Sequence, residues 1–453
     1  MKNNTLLVGY ARVDITPQSS VPLAGYGNTS MRMSRTIRDE LYASCFAITD
    51  REENTILLMS IDLSRITTKE AEDVRAAAQQ RFGIPADHVF IAGTHTHSAP
   101  DLHNHNHPAI QQYSKLLEER LPVCVELAMD DRCHARMFVG DVEATGMNFV
   151  RHYCNVGADG TLRYFGDNFG TEVLDDTTAH ATDADPTMHI VKFVREGAAD
   201  LVLVNWRAHA TLSGGQKRYD VSADFIGDFR RVWEQNNDSL LTYFQGAAGN
   251  INPKSRIRSE VRTEDSLAYG RILADYLAEG LKSVREMAVS PIRVRQVVLD
   301  CPINKPTPEL LNHANAVTEF WKATNDLKAC IDFGLPKGIR SPYMANAIRA
   351  RAGMPDSKHI ELGAVSLGDL AFITTPNELF DAISVYVEEN APYSKVMAIG
   401  YCNGYEGYIP SAEGFAYTCY ETDTCRFYPE IGEEFQNQLL QMLHDLKNSC
   451  GDE

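Results

Sequence analysis

Histidines are concentrated in one stretch of the chain, THTHSAPDLHNHNH, which runs from residue 94 to residue 107. Imidazole nitrogens are common zinc ligands, and they also carry protons near neutral pH. The first two, His95 and His97, lie two positions apart, so in an extended segment both side chains point to the same face. This spacing predicts that one binds a metal through Nε2 while the other transfers protons beside it. The alternative is a hydrogen-bonded pair at the start of a loop.

The second half of the stretch carries three more alternating histidines, His103, His105 and His107. They lie among Asn, Asp and Pro residues, and no apolar residue fixes their positions. Segments of this kind usually run over the protein surface. We expect a solvated loop here, with a zinc site on HNHNH as the alternative.

A strand, a helix and a second strand are predicted before these histidines. TILLMSID (55–62) is an apolar run of strand length, TTKEAEDVRAAAQQRFG (67–83) has helix formers and a final glycine, and HVFIAGT (88–94) is a second apolar run. This order is typical of a βαβ unit with parallel strands. Ligands collect beyond the carboxyl ends of such strands, where Asp62 and the THTH segment lie.

Four later apolar runs also end in polar groups that could complete a metal site. They are LVLVNW (201–206) before His209, LLTYFQ (240–245) before GAAGNINP, LAFITTP (370–376) before Glu378, and KVMAIGY (395–401) before Tyr405, Tyr408, Tyr417 and Tyr420. A tetrahedral zinc site takes ligands from distant segments, so we predict a common polar rim. The alternatives are a satisfied core histidine, a helix-start carboxylate and packed tyrosines.

The composition limits the classes of function. The 453 residues carry a net charge of −18, so nucleic acid and anionic membranes are disfavoured as partners. The N-terminal MKNNTLLVGYARVD has no apolar core long enough for a signal peptide, and no apolar run is long enough for a transmembrane helix. We expect a cytoplasmic protein without integral membrane association. The ten cysteines form no CxxC pair and are expected to be free thiols, with a Cys419–Cys425 pair as the alternative.

Several common active-site motifs are missing from the chain. GAAGNINP (246–253) lacks the Lys-Ser/Thr ending of a phosphate-binding P-loop, and neither GxSxG nor HExxH occurs. Nucleophile-elbow hydrolases and thermolysin-type proteases are therefore disfavoured.

Two later segments are predicted to be helical. Residues 301–351 are rich in helix formers and punctuated by proline, which suggests a helical insertion or cap on the main body. Residues 427–448 form an amphipathic pattern that predicts a terminal helix with one buried face.

An ordered set of motifs resembles the N-terminal catalytic domain of the neutral/alkaline non-lysosomal ceramidase family. The matches cover roughly residues 8 to 425. They are GYARVDITPQSSVPLAGYG, GTHTHSAP, MNFVRHY, WRAHATLSG, VSADFIGDF, QGAAGNINP, TPNELF and NGYEGYIPSAEGFAYTCYE.

The resemblance implies a role for each matched residue. It implies zinc ligands at His95, His209, Glu378 and Tyr408, and a proton-transferring histidine at His97. It also implies that Arg151 and Tyr420 stabilise the developing oxyanion. The implied fold is a single α/β catalytic domain, residues 1–453, with mixed β-sheets flanked by helices. The implied reaction is hydrolysis of an N-acyl amide by a zinc-activated water. Neither the residues nor the resemblance predicts an oligomeric state.

The chain departs from the family pattern at positions that we expect around the substrate. Asn250 and Asn252 replace an aspartate and a serine, and Asp101-Leu102-His103 replaces a glycine-rich segment. Family members that cleave ceramide tend to carry a C-terminal β-sandwich domain, which we do not expect in this chain. We therefore expect a smaller or more soluble small-molecule amide than ceramide. A zinc-dependent esterase or lactonase and a non-catalytic metal- or ligand-binding homologue are the alternatives.

Overall fold

The structure, a computed structural model, describes residues 6–26, 31–166, 174–214, 217–257, 265–289, 291–417 and 419–449. The helices within these ranges are α1 (Thr68–Phe82), α2 (Pro108–Asp130), α3 (Asp224–Asn236), α4 (Ser266–Gly280), α5 (Pro308–Thr324), α6 (Leu327–Gly334), α7 (Pro342–Gly353), α8 (Asp381–Asn390), α9 (Tyr420–Thr424) and α10 (Ile431–Asn448). The strands are β1 (Leu6–Asp14), β2 (Thr36–Ile37), β3 (Tyr42–Thr49), β4 (Thr55–Ile61), β5 (Val89–Gly93), β6 (Cys133–Glu143), β7 (Phe149–Val150), β8 (His152–Val156), β9 (Leu162–Gly166), β10 (Ala179–His180), β11 (Thr187–Arg195), β12 (Asp200–Trp206), β13 (Asp220–Val221), β14 (Ser239–Gln245), β15 (Ile251–Asn252), β16 (Arg285–Glu286), β17 (Arg293–Pro302), β18 (Ser357–Leu367), β19 (Leu370–Thr374), β20 (Glu378–Leu379), β21 (Lys395–Ile399) and β22 (Tyr408–Ile409).

The main sheet has nine strands in the described part of the chain. Eight follow the order β14-β12-β11-β6-β1-β3-β4-β5, and β16 pairs beside β6. The pairs β4–β5 and β12–β14 are parallel. The sheet curves so that its two ends approach each other. Ser60 Oγ on β4, the strand next to one end, donates to the Tyr243 carbonyl on β14, the strand at the other end, at 2.6 Å. This curvature brings the carboxyl ends of β5 and β12 to one place.

A second sheet packs face to face against the first. Its four strands follow the order β17-β18-β19-β21, and β19 runs parallel to β21. Apolar side chains fill the space between the sheets, including Phe46, Phe90 and Phe193 from the main sheet and Phe372 and Met397 from the second. Full burial of each such side chain contributes about 1.5–3 kcal/mol, so this layer is a major source of stability.

Helices cover both outer faces of the two-sheet core. The main sheet buries one part of its outer face against α1 and α2, and another part against α3 and α4. The second sheet packs against α8 and α10, which contributes Phe435, Leu439 and Met442. The predicted mixed α/β fold with helix-flanked sheets is confirmed, and α10 buries one face as expected.

The predicted βαβ unit is formed by β4, α1 and β5. Helix α1 begins at a capping box in which the Glu70 carboxylate accepts the Thr67 backbone N–H at 3.0 Å. It ends at Gly83, whose φ of 70° favours glycine because no β-carbon is present. The strands that flank it are parallel and fully buried, so their carboxyl ends lie side by side.

Helices α5, α6 and α7 form a unit with a small core of its own. They largely coincide with the segment 301–351 that was predicted to be helical, although Cys301 and Pro302 belong to β17 and α7 extends to Gly353. The side chains buried in this unit are Ala314, Val317, Cys330, Ile339, Ala345 and Ile348.

Cysteine and membrane features were also predicted from the sequence. The nine cysteines in the described ranges are free thiols, Cys419 and Cys425 included, and Cys450 lies outside those ranges.

Among the helices that the structure describes, none combines the length and the apolar character needed to cross a bilayer.

Candidate active site

Three histidines and one glutamate from distant segments meet at the carboxyl ends of the strands. His95 and His97 follow β5, His209 follows β12 and Glu378 follows β19. Glu378 Oε2 lies 3.3 Å from His95 Nε2 and 3.2 Å from His209 Nε2. One ring nitrogen from each histidine lies within 4.8 Å of the others. The structure thus brings together four of the residues singled out in the sequence.

Hydrogen bonds to the far side of each group fix which atoms face the centre. His95 Nδ1 bonds the Ser64 carbonyl at 2.8 Å, and His209 Nδ1 bonds the Ile251 carbonyl at 3.1 Å. A carbonyl accepts, so each Nδ1 carries the proton and each Nε2 presents a lone pair. On the other side of Glu378, the Tyr405 hydroxyl donates to Oε1 at 2.5 Å and leaves Oε2 facing the histidines.

The arrangement fits a bound cation. His209 Nε2 and Glu378 Oε2 are buried and have no hydrogen-bond partner within the described ranges. Burial, reinforced by the charge of Arg151, lowers the pKa of His209 to about 4. Burial alone would raise the pKa of Glu378, but His95 and His209 together hold it well below its ordinary value. Two imidazole Nε2 atoms and a carboxylate oxygen that face one another at this spacing form a typical donor set for zinc.

His97 borders the same centre from the other side. Its Nε2 lies 3.2 Å from His95 Nε2, and its Nδ1 accepts the Tyr26 backbone N–H at 3.4 Å. Gly25 makes room for the ring, because a β-carbon there would lie 2.3 Å from His97 Cγ, and its φ is +84°. Burial, together with the neighbouring imidazoles of His95 and His209, lowers the pKa of His97 well below its ordinary value.

Arg151 approaches the centre beside two tyrosines. Its Nη2 donates to the Tyr408 hydroxyl at 3.2 Å, and the Tyr408 and Tyr420 rings meet edge to face with centroids 5.8 Å apart. Tyr408 is set beside Glu378 by direct pairing of β22 with β20.

A buried carboxylate holds Arg151 in this position. Glu421 Oε1 accepts Arg151 Nε–H at 2.5 Å, and Glu421 Oε2 lies 3.0 Å from His152 Nε2. Burial alone would raise the pKa of Glu421, but Arg151 and His152 lower it far below its ordinary value. His152, Cys419 and Glu421 form a second cluster with metal-ligand chemistry, but Glu421 already pairs with the guanidinium. We therefore assign this cluster to support of Arg151.

Backbone conformations around the centre are unusual. Tyr26, His95 and Tyr401 have φ of 56°, 63° and 55°, a region that non-glycine residues rarely adopt. The Tyr401 ring stacks on His95 at a centroid distance of 4.0 Å, which fixes the ring plane. Such strain is typical of functional sites, where the surrounding structure holds it in place.

The three histidines of HNHNH lie outside this cluster. His103 and His105 are exposed, and His107 begins α2 by accepting the Ala109 backbone N–H at 3.3 Å. These positions agree with the predicted loop. Neither cluster of potential metal ligands in the described part of the chain includes them.

The cluster forms the floor of a cavity of about 1090 Å³. All seven residues proposed for the site from the sequence belong to it or to its margin. His95, His97, Arg151, Glu378, Tyr408 and Tyr420 line the cavity, and His209 is buried just beneath them. Helices α5 and α7 form the opposite wall through Thr318, Trp321, Lys322, Tyr343, Asn346 and Arg349.

Three of the residues that differ from the family pattern lie in or near the cavity wall. Asp101 and Asn252 line it. Asn250 is buried, and its Nδ2 donates to Asp381 Oδ1 at 2.7 Å. An aspartate at position 250 would place a second negative charge against Asp381, so the amide suits this chain.

Sequence reasoning missed several residues that orient the site. Tyr405 was one of four clustered tyrosines, and nothing in the sequence distinguished it as the partner of Glu378. The only sequence feature that pointed to Glu421 was its position directly after Tyr420. No sequence feature could point to Ser64 or Ile251, because they act through backbone carbonyls, which every residue has.

Comparisons with known proteins show the family and agree with the fold. The chain belongs to the neutral/alkaline non-lysosomal ceramidase family, whose N-terminal profile matches residues 6–249, more than half of the chain. The predicted resemblance is confirmed.

Its curated relatives include the proteins named neutral ceramidase from Drosophila pseudoobscura pseudoobscura and Drosophila melanogaster. Each is 26% identical over 234 residues, which cover 49% of this chain and 31% of the relative. The chain thus spans about a third of the length of the curated relatives it matches.

Two solved structures share the fold. The crystal structure of neutral ceramidase from Pseudomonas aeruginosa matches with a TM-score of 0.74 at 17% identity, over 99% of this chain and 75% of that one. A ceramidase complexed with C2 matches with a TM-score of 0.72 at 16% identity, over 99% and 76% of the respective chains.

Proposed function

We propose that this protein is a zinc-dependent hydrolase that cleaves the amide bond of a small N-acylated substrate. One observation carries the proposal. Two histidine nitrogens and a carboxylate oxygen converge at the floor of an open cavity that also presents a guanidinium and tyrosine hydroxyls. Family membership supports the reaction class, and the relatives' names make ceramide one amide to test.

The residues that would hold the metal are His95, His209, Glu378 and Tyr408. A bound zinc ion would supply Lewis acidity, polarising a carbonyl oxygen and making water more acidic. The carbonyl partners of His95 and His209 keep both Nε2 lone pairs aimed at the centre.

His97 is the residue we assign to proton transfer, at Nε2. Its low pKa keeps the ring neutral and able to accept a proton. Because Nδ1 accepts the Tyr26 N–H, the resting proton lies on Nε2, and uptake of a proton there requires the resting one to shift to Nδ1. The contact given up is the long, weak bond at 3.4 Å. Hydrolysis moves one proton from water to the leaving amine, and a single group can carry it.

Arg151 and Tyr420 are the residues we assign to the oxyanion. A guanidinium and a phenol are hydrogen-bond donors, and fixed donors are worth most where charge develops away from water. Glu421 and the Gly249 carbonyl fix the Arg151 guanidinium from behind, the latter at 2.9 Å. Arg151 therefore needs little rearrangement when the carbonyl oxygen gains charge.

The proposal is tested by amide hydrolysis with and without metal. The zinc-loaded chain should release fatty acid from N-acyl amides, lose this activity with a chelator and regain it with zinc. Matched esters distinguish an esterase, which would cleave them and leave the amides intact. Release of no acid from either series would contradict the proposed reaction.

His97→Ala tests the proton carrier, with His103→Ala as the matched change in the exposed loop. We expect His97→Ala to keep its zinc and lose about 10²–10⁴-fold in kcat, the typical range for general acid–base groups. His103→Ala should match the parent. Loss of zinc from His97→Ala would make His97 a ligand, and an active His97→Ala would remove it from the mechanism.

A further inference from the structure

The charge of the cavity contrasts with that of the whole chain. The chain carries a net charge of −18. The carboxylates among the described residues that line the cavity are Asp101 and Glu378, and Glu378 belongs to the proposed metal site. Five cationic side chains line the same cavity: Arg32, Arg65, Arg151, Lys322 and Arg349. A cleft lined by one sign of charge attracts ligands of the opposite sign, even when the rest of the surface repels them.

Three of these cations have carboxylate partners. Arg151 pairs with buried Glu421. Arg65 pairs with Asp101 at 3.1 Å, and Lys322 pairs with Glu319 at 3.1 Å on the exposed surface of α5. These carboxylates balance the three positive charges locally. The balance is weakest for Lys322, because its pair with Glu319 is exposed to solvent.

The other two have no carboxylate within ion-pair distance among the residues that the structure describes. Arg32 is only 3% exposed, yet its guanidinium donates hydrogen bonds to carbonyl oxygens alone, including that of His97 at 2.7 Å, and lies over the Tyr26 ring at 4.8 Å. Its Nε is a buried donor without a partner. Arg349 lies exposed on α7, where its Nε donates to the Asn315 side-chain oxygen at 2.9 Å. A buried unpaired guanidinium is costly, which makes Arg32 the more informative of the two.

The position of Arg32 indicates which part of a substrate it would contact. It donates to the backbone of His97, the residue proposed to protonate the leaving amine. A leaving amine placed beside His97 for protonation would therefore lie on the side of Arg32. Lys322 and Arg349 lie on the opposite helical wall, where they can attract an approaching anion.

We propose that the amine half of the substrate carries an oxyanion, a carboxylate or a phosphate, which Arg32 binds and which Lys322 and Arg349 attract. The substrate class is then an N-acyl amino acid or an N-acylated phosphoamine rather than a neutral amide. The Arg32 Nε–H, which has no partner, can donate to either group. This inference rests on the proposed amide hydrolase function.

Three amides with one acyl chain test the inference: N-acylglycine, N-acyl-O-phosphoethanolamine and neutral N-acylethanolamine. Affinities are measured by calorimetry on the zinc-loaded His97→Ala chain, which prevents turnover, and hydrolysis is measured on the parent. We expect at least one anionic amide to bind about 10-fold or more tightly than the neutral amide. That preference should weaken as salt is raised. Preference for glycinate or for phosphate identifies the source of the oxyanion.

Charge variants show whether the cavity cations cause the preference. The double change Lys322→Gln and Arg349→Gln, at exposed positions, should lower the ratio of anionic to neutral affinity several-fold. Asp101→Asn, which frees Arg65, should raise it. Arg32→Gln should lower it most, and circular dichroism checks that this buried variant is folded. Lys328→Gln removes one charge from the same helical unit outside the cavity and should leave the ratio unchanged.

The two proposals fail in different ways. Equal affinities for charged and neutral amides, or a ratio that the double variant and Asp101→Asn leave unchanged, would overturn the anionic substrate while hydrolysis stands. Selective binding of the anionic amides without cleavage of any would overturn the hydrolase and retain the anion site.

Discussion

The two histidine groups of one short stretch differ in their surroundings, not in residue type. His95 is 3% exposed, its Nδ1 bonds a carbonyl, and Tyr401 stacks on its ring. His103 and His105 are exposed in a loop. Histidine density therefore does not separate the proposed metal site from the exposed loop. What matters is a burial that excludes water and a partner that fixes each lone pair.

Glu421→Gln should have the largest effect among changes that test this role of burial. It would leave Arg151 and His152 buried without their carboxylate, and breaking a buried ion pair costs roughly 3–5 kcal/mol. Glu118→Gln is the matched control, because Glu118 pairs with Lys69 on the surface, where we expect at most about 1 kcal/mol. Denaturant unfolding measures both, and similar losses would contradict the distinction.

The stability of the metal-free protein should depend on pH through the buried histidines. His209 has a pKa of about 4 in the fold against an ordinary value of 6.5, so the unfolded chain binds more protons between these values. Stability from this group is complete above pH 6.5 and declines as the pH falls towards 4, by about 3 kcal/mol in total. The pKa of His97 is also lowered in the fold, so His97 likewise contributes stability that declines as the pH falls.

Variants isolate this contribution from those of other groups. Burial raises the pKa of Asp39 to about 6, and this group changes stability in the opposite sense over part of the same range. The informative quantity is therefore the difference between parent and variant in unfolding experiments across pH. His209→Gln should flatten the dependence, whereas exposed His105→Gln should not. An unchanged slope in His209→Gln would contradict a buried neutral imidazole.

Tyr405→Phe should give a smaller effect, on metal affinity. Tyr405 contacts both the buried site and the exposed loop. Its hydroxyl donates to Glu378 Oε1 at 2.5 Å, and its ring meets the His103 ring edge to face with centroids 5.7 Å apart. Loss of a hydrogen bond to a ligand typically lowers metal affinity about 10–100-fold. Exposed Tyr386→Phe is the control. Competition with a chromophoric chelator measures the affinities, and an unchanged value for Tyr405→Phe would mean that Glu378 needs no support.

Local elements of the fold were predictable from the sequence, because short-range patterns determine them. The βαβ unit, the apolar strands and the amphipathic helix α10 all follow from periodicity and end signals. The sequence did not predict that the apolar runs divide between two packed sheets. It also did not predict the curvature that brings β4 to β14, because that contact joins residues 183 positions apart. Such long-range pairing leaves no local signal.

Some residues of the candidate site could be predicted from the sequence and others could not. His95, His209 and Glu378 were candidates because each follows an apolar run, and the family resemblance implied that they are ligands. The structure brings them together. The assignments of Arg151, Tyr408 and Tyr420 came from the family resemblance alone. The residues that orient them, such as Glu421, became visible only through their contacts. The cytoplasmic location and the single catalytic domain stay predictions.

The most direct test of the account is the zinc content of chelator-washed, zinc-reloaded protein in three forms: the parent chain, His209→Ala, and a triple variant with His103, His105 and His107 changed to Ala. We predict about one zinc per chain in the parent and in the triple variant, and loss of zinc in His209→Ala. Zinc that survives in His209→Ala and disappears from the triple variant would contradict the account, because the exposed loop would then be the metal site.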